Sequence, residues 1–151
     1  MPAPPPPAVP DAPSRIAAVD VGLRRVGVAM TDPLRMFAQP VGTYGQAEAL
    51  GVVVHLHAEH SLAAVAVGWP LDADGSEGEA VDRVRPFLGR LKKALPGVRV
   101  DVQDETDSSR RALDALVASG ARHGARREKG RIDAAAACII LEDYLREGGV
   151  D

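Results

Sequence analysis

At 151 residues, the chain is sized for one domain with one substantial core. Its net charge of -3 argues against a general nucleic-acid-coating protein, which needs excess lysine and arginine, but leaves room for a local basic patch beside acids. The single cysteine, Cys138, excludes an internal disulfide framework and fits a reducing cytoplasm. No apolar run reaches membrane-spanning length, so no membrane partner is expected. Apolar residues make up 46% of the chain and aromatics only 3%. The core is therefore expected to be aliphatic, which favours helix-on-sheet packing.

Residues 1–13 are proline-rich and have neither the basic nor the apolar region of a signal peptide. They are expected to form a disordered, polyproline-like tail, with a single domain over 14–151. Ile16 to Val19 predicts a buried strand and Val26 to Thr31 its hairpin partner. Asp20 ends the first strand, where a carboxylate is paired, exposed at an edge, or holding a metal. Gly22 allows a tight turn or close approach of a ligand, and Arg24 and Arg25 set positive charge beside the acid. An ordinary hairpin with a polar turn accounts for this stretch. So does the opening of an actin-like or sugar-kinase nucleotide-binding domain, or of a ribonuclease-H-like nuclease.

Met36 to Tyr44 predicts a third strand, placed at an edge by Pro40. Gln46 to His60 predicts a helix with Leu50, Val53, Val54 and His57 on one face. His55, His57 and His60 lack metal-ligand spacing and are expected at the surface. Leu62 to Val67 is an unbroken apolar run, the mark of a central strand covered on both faces. The loop from Gly68 to Gly75 follows at its C-terminal end, where open α/β sheets bind ligands. Trp69 in that loop fits either a substrate-facing platform or a packing residue. Asp72-x-Asp74-Gly75 lacks the remaining positions of a calcium loop.

Ser76 to Glu79 has capping-box spacing and predicts a helix start. Val81, Val84, Leu88, Leu91 and Leu95 form its apolar stripe, and Pro86 is expected to kink or split it. Val98 to Val102 predicts the last strand. Asp104, Glu105 and Asp107 follow it, an arrangement that suits a solvated acidic loop as well as a site. A helix is expected over Ser109 to Ala118. Ser119 to Gly130 is a basic stretch, with Arg122, His123, Arg126, Arg127 and Lys129, and is expected to be a loop that meets an anion. The final helix is expected from Arg131 to Glu147, with Asp133 in its first turn, where the helix dipole favours a negative charge.

This order predicts an α/β fold: a mixed five-stranded sheet with helices on both faces. Asp20, Glu105 and Asp133 can then converge at one edge of the sheet. Three close carboxylates repel one another unless cations neutralise them, and such oxygen donors suit Mg²⁺ or Mn²⁺. Ions held there would serve an in-line phosphodiester displacement.

At this point the chain resembles the YqgF/RuvX family of pre-16S rRNA nucleases, related to Holliday-junction resolvases and ribonuclease-H-like in fold. The resemblance spans Arg15 to about Glu147. It rests on Val19 to Ala29, Val67 to Ser76, Asp104-Glu105, and Ile132 to Ala136, in that order and spacing. It implies Asp20, Glu105 and Asp133 as metal-binding catalytic acids and Arg24 and Arg25 as phosphate contacts. The family's usual Arg-Leu-Thr-Thr/Ser after the acidic motif is replaced by Thr106-Asp107-Ser108-Ser109, and Ala134 stands where a lysine is usual. Both changes remove positive charge near the site. Ser108, Ser109, Arg126, Arg127 and Lys129 are the remaining candidates for nucleic-acid contact.

The expected function is a metal-dependent nuclease processing the 5′ end of pre-16S rRNA, in the cytoplasm and in contact with a pre-ribosomal particle. The alternatives are a junction-cutting DNA endonuclease and a non-catalytic RNA-binding assembly factor. An actin-like phosphotransferase is a weaker reading, because one short domain lacks a second lobe. Structured RNA and branched DNA both remain open as partners, as do monomer and homodimer.

Overall fold

The sheet is built outward from β1 (Arg15–Val21), whose residues after Arg15 are all buried. The structure is a computed structural model and describes residues 14–105 and 125–149, with the side chains of 125–133 outside that description. The proline-rich tail, the predicted helix over 109–118, Ser108 and Ser109 all lie outside the described residues.

β2 (Val26–Thr31) pairs antiparallel with β1, with Val19 opposite Val28 and Asp20 opposite Gly27. β3 (Ala38–Tyr44) pairs antiparallel with β2 and lies at the sheet edge, as Pro40 predicts. It begins two residues later than expected. The Asp32 carboxylate accepts the backbone N–H groups of Met36 and Phe37, at 2.9 and 2.7 Å, and holds both in the preceding turn.

α1 (Gln46–His60) has the predicted boundaries. Its buried row is Ala49, Val53 and Leu56, while Val54, expected on the apolar face, is exposed. The chain turns at Ser61, whose φ of 55° is left-handed. His57, expected at the surface, is half-buried: its Nδ1 accepts the Leu62 N–H at 3.0 Å and ties the helix end to the next strand. That strand, β4 (Leu62–Trp69), runs parallel to β1, with Val67 beside Val19.

α2 (Glu79–Ala94) follows, capped by Gly78 with no side-chain cap. The predicted capping box does not form, because Ser76 Oγ donates to Asp74 Oδ1 at 2.6 Å inside the loop. Pro86 does not split α2. It lies on the exposed face, so the missing N–H leaves a gap where water can serve the Asp82 carbonyl. β5 (Arg99–Asp104) pairs parallel with β4 and completes the order β3-β2-β1-β4-β5.

The last helix, α3 (Ala125–Arg146), starts earlier than predicted. The basic stretch expected as a loop is helical from residue 125, and Asp133 lies inside the helix instead of in its first turn. The dipole rationale for an acid at 133 therefore does not hold.

Strand alternation sends side chains to two cores. Val19, Val28, Val65 and Val67 pack under α1 and α2 with Phe87 and Leu91. Ile16, Ala18, Ala29, Ala64 and Ala66 pack under α3 with Ala137, Ile140, Leu141 and Tyr144. The alanine floor lets α3 lie close to the sheet. A fully buried side chain such as Ile140 contributes roughly 1.5–3 kcal/mol there. Among the described residues, no helix is long and apolar enough to cross a membrane.

Candidate active site

Residue parity decides which side chains reach the site. Ile16 and Ala18 face α3, so Asp20 belongs to the same face of β1. Ala64 and Ala66 face α3, which places Gly68 on that face of β4. On β5 the Asp101 carboxylate accepts the Tyr144 hydroxyl and Gln103 donates to Glu147, so both side chains meet α3. Glu105 continues this row just past the strand. Its N–H donates to the Trp69 carbonyl at 3.3 Å, which extends the β4–β5 pairing to the acid itself.

The C-terminal ends of the three parallel strands thus bring Asp20 and Glu105 together. Asp20 is buried, with glycine as its partner on β2. The Glu105 carboxyl is held protonated far above the usual carboxylate range, pushed up to about 10, first by burial and then by the charge of Asp20. Burial raises Asp20 as well, opposed by the hydrogen bond it accepts from Glu105. Oε2 of Glu105 is buried and has no hydrogen-bond partner among the described residues. A buried carboxylate oxygen with no partner among the described residues, beside a second buried carboxylate, fits a hard divalent cation, and the all-oxygen donor set suits Mg²⁺ or Mn²⁺.

Gly68 shapes this slot. A Cβ there would stand 2.6 Å from Glu105 Oε2 and 2.6 Å from Ile140 Cδ1. Sequence reasoning missed this role, because a glycine after an apolar run reads as the end of a strand. The strand in fact continues through Gly68 and Trp69.

The remaining candidates are placed as follows. Arg24 is exposed and Arg25 half-buried in the turn between β1 and β2, which begins after Val21 and is closed by a Gly22 N–H to Arg25 carbonyl bond of 2.8 Å. Arg126, Arg127, Lys129 and Asp133 belong to α3, and their side chains lie outside the description. Among the described residues, no group of three or more acids, histidines or cysteines is close enough to hold a metal. Ala134, the position of the family's usual lysine, is buried. Trp69 packs instead of forming a platform. It is buried in the core under α1 and α2, its Nε1 donates to Glu77 Oε1 at 3.3 Å, and the Arg85 guanidinium lies 5.3 Å from its ring centre.

A sequence model of the RuvX family, described as Holliday junction resolvase, matches residues 14–147. The chain belongs to the RuvX family. Among curated RuvX relatives, the "Putative pre-16S rRNA nuclease" of Salinibacter ruber is 44% identical over 136 residues, covering 90% of this chain and 95% of the relative. The protein of the same name from Chlorobaculum tepidum is 41% identical, covering 87% and 92%. That of Anaeromyxobacter dehalogenans is 37% identical, covering 87% and 96%. Thermus thermophilus RuvC, solved alone and in complex with Holliday junction substrate, matches with a TM-score of 0.51 at 16% identity, over 89% of this chain and 97% of RuvC. This likeness establishes the ribonuclease-H-like fold of the RuvX chain.

Proposed function

We propose that this RuvX protein is a divalent-metal-dependent endonuclease that processes the 5′ end of pre-16S rRNA in the cytoplasm, on or near a pre-ribosomal particle. Family membership and the names of its relatives support a nuclease, a hydrolase of phosphodiester bonds. The single observation that carries the catalytic reading is the buried Asp20–Glu105 pair, whose Glu105 Oε2 has no partner among the described residues.

Asp20, Glu105 and Asp133 would hold Mg²⁺ or Mn²⁺. The course of α3 supports the third acid. Tyr144 meets Asp101 midway along β5, and Ile140 meets Gly68 near the end of β4. Going back along α3, the helix therefore heads past the strand ends where Asp20 and Glu105 lie. Asp133 is two turns before Ile140 on that course. Bound ions would supply Lewis-acid stabilisation of the leaving oxygen and a lowered pKa for the attacking water. The chain's own acids fix where those ions can sit. The burial of Asp20 and Glu105 in a low-dielectric slot strengthens every charge interaction made there. Arg24 and Arg25 grip phosphates from the adjoining turn. Arg126, Arg127 and Lys129, and the hydroxyls of Ser108 and Ser109, extend that contact along the nucleic acid.

A second reading is junction cutting in DNA, favoured by the family model's description. It would require a homodimer to pair two cuts. One cleavage panel separates the readings: a precursor carrying the 16S 5′ leader, a four-way junction, and single strands, each with Mn²⁺ or Mg²⁺. Cleavage of the leader that is lost in Asp20→Asn, Glu105→Gln and Asp133→Asn supports the first. Preference for the junction supports the second. Salt-dependent binding with no cleavage under any divalent ion would overturn both and leave a non-catalytic RNA-binding factor.

A further inference from the structure

We infer that Gly68 is a positioning residue that keeps the Glu105 carboxylate in place for metal binding, an inference that rests on the metal-ligand reading of Asp20 and Glu105. Gly68 has no left-handed φ, so the backbone does not require glycine there. Space does. A Cβ would lie 2.6 Å from Oε2 and 2.9 Å from Cδ of Glu105, and 2.6 Å from Ile140 Cδ1. Real Cβ atoms do not sustain such contacts, so one neighbour must move.

Which one moves follows from how each is held. Ile140 is fully buried on the alanine floor between α3 and the sheet, and close-packed cores resist displacement. Glu105 is the first residue beyond β5, and its carboxyl is the far end of a flexible side chain. A methyl group at 68 therefore displaces the Glu105 carboxylate from the slot beside Asp20. Gly68 follows Val67 on β4 as Asp20 follows Val19 on β1, and Val19 and Val67 are paired. With Gly27 opposite Asp20 on β2, both neighbouring strands present glycine at the level of the acid. The slot is floored by missing side chains.

The test compares Mn²⁺ binding, by calorimetry or electron paramagnetic resonance, with thermal unfolding of the metal-free protein. The variants are Gly68→Ala, Ile140→Val, the double variant, and Glu105→Gln. Gly51→Ala is the control, because among the described residues a Cβ at Gly51 meets nothing within 4 Å. Gly68→Ala is expected to weaken Mn²⁺ binding about 10–100-fold, the usual effect of disturbing the groups that orient a metal ligand. Ile140→Val removes the δ1 carbon, so the double variant should melt close to Ile140→Val alone and still bind Mn²⁺ as weakly as Gly68→Ala. If Gly68→Ala does not fold, the double variant carries the test by itself. Wild-type Mn²⁺ affinity in Gly68→Ala, or recovery of both melting and affinity in the double variant, would show that Gly68 serves packing only. If Glu105→Gln binds Mn²⁺ like the wild type, the metal reading itself falls. If Glu105→Gln loses binding while Gly68→Ala keeps it, only the role of Gly68 falls.

Discussion

The Glu105 carboxyl donates a hydrogen bond to Asp20 where the parallel strands end, and both acids are largely removed from water. Two buried carboxylates cannot both be ionised without a compensating positive charge. In the metal-free protein one proton is that charge, and on the metal-ligand reading proposed above a divalent cation would replace it. Glu105→Gln should therefore separate stability from activity. The amide NH₂ can keep the bond to Asp20 without carrying charge, so the metal-free variant should melt at or above the wild-type temperature at neutral pH. Cleavage should fall about 10²–10³-fold, the usual scale for losing one charge-stabilising group at a reacting oxygen. Calorimetric melting and single-turnover cleavage on the same samples check both halves.

The same pair sets a pH dependence. Glu105 has an ordinary value of 4.5 and is pushed up to about 10 in the fold, so the native state holds more protons than the unfolded chain between those limits. Its contribution to stability is complete below the ordinary value and is lost as pH rises through the folded one. Asp20, also raised, acts with the same sign. The melting temperature of Glu105→Gln relative to wild type should therefore climb as pH rises across that window in the presence of a chelator. If the wild-type carboxylates bind the ion, as proposed, this difference should shrink when Mn²⁺ is added. A difference independent of pH would mean that Glu105 is ionised in the metal-free fold.

Much of this arrangement was legible in the residues. The unbroken run after Leu62 marked the central strand, and the spacing from Gln46 to His60 marked α1 at its observed ends. Asp20 stood out because it closes an apolar run, whereas Glu105 is one of three acids after the last predicted strand and was singled out by the family resemblance. Their pairing depends on residue parity in three strands, which the order of elements suggested. Local signals failed where a side chain had another partner. Ser76 could not cap α2 while bonded to Asp74, and the half-buried His57 ring is turned to accept the Leu62 N–H. The glycines and the charge of Ser119 to Gly130 predict a loop, yet the described part, residues 125–130, is helical. The role of Gly68 depends on which residue crosses above it, and nothing near it in the chain carries that information.

A buried hydroxyl compensates for an irregularity in the sheet. The pairing of β1 with β4 shifts register between Arg15 and Ile16, and the Ile16 N–H donates to Thr31 Oγ1 at 3.0 Å. Thr31 is fully buried, so water cannot replace it. Thr31→Val keeps the shape and removes the acceptor, and should cost about 1–3 kcal/mol in urea unfolding. Thr31→Ser keeps the oxygen and should recover most of the hydrogen-bond part of that loss. Equal stability of Thr31→Val and wild type would mean that the N–H finds another acceptor.

Trp69 links the site to α2. The Arg85 guanidinium stacks over its ring and pairs with Glu77, which also accepts the indole N–H. The Trp69 carbonyl in turn holds the Glu105 N–H. Arg85 and Glu77 are about half exposed, so the pair is partly screened. Arg85→Ala should cost only about 0.5–1 kcal/mol of stability through the lost cation–π contact. Hydrogen exchange should quicken at the Glu105 amide more than at β1 amides, since the loosened group is the one that carries the Trp69 carbonyl. Uniform exchange changes would indicate a general loss of stability instead.

Arg24 and Arg25 occupy the turn after β1, which ends one residue beyond Asp20, with Arg24 exposed and Arg25 half-buried. If both meet phosphates, each releases counterions when nucleic acid binds. Arg24→Ala and Arg25→Ala should then each weaken binding of every sequence alike. Each should also reduce the slope of log affinity against log salt by roughly 0.7–0.9, the value for one phosphate contact. Binding should be measured in Ca²⁺, or with Glu105→Gln, so that cleavage does not interfere. The double variant should show about twice the change in slope. An unchanged slope with weaker binding would assign the arginines to shaping the turn, and phosphate contact would then rest with the basic first turns of α3.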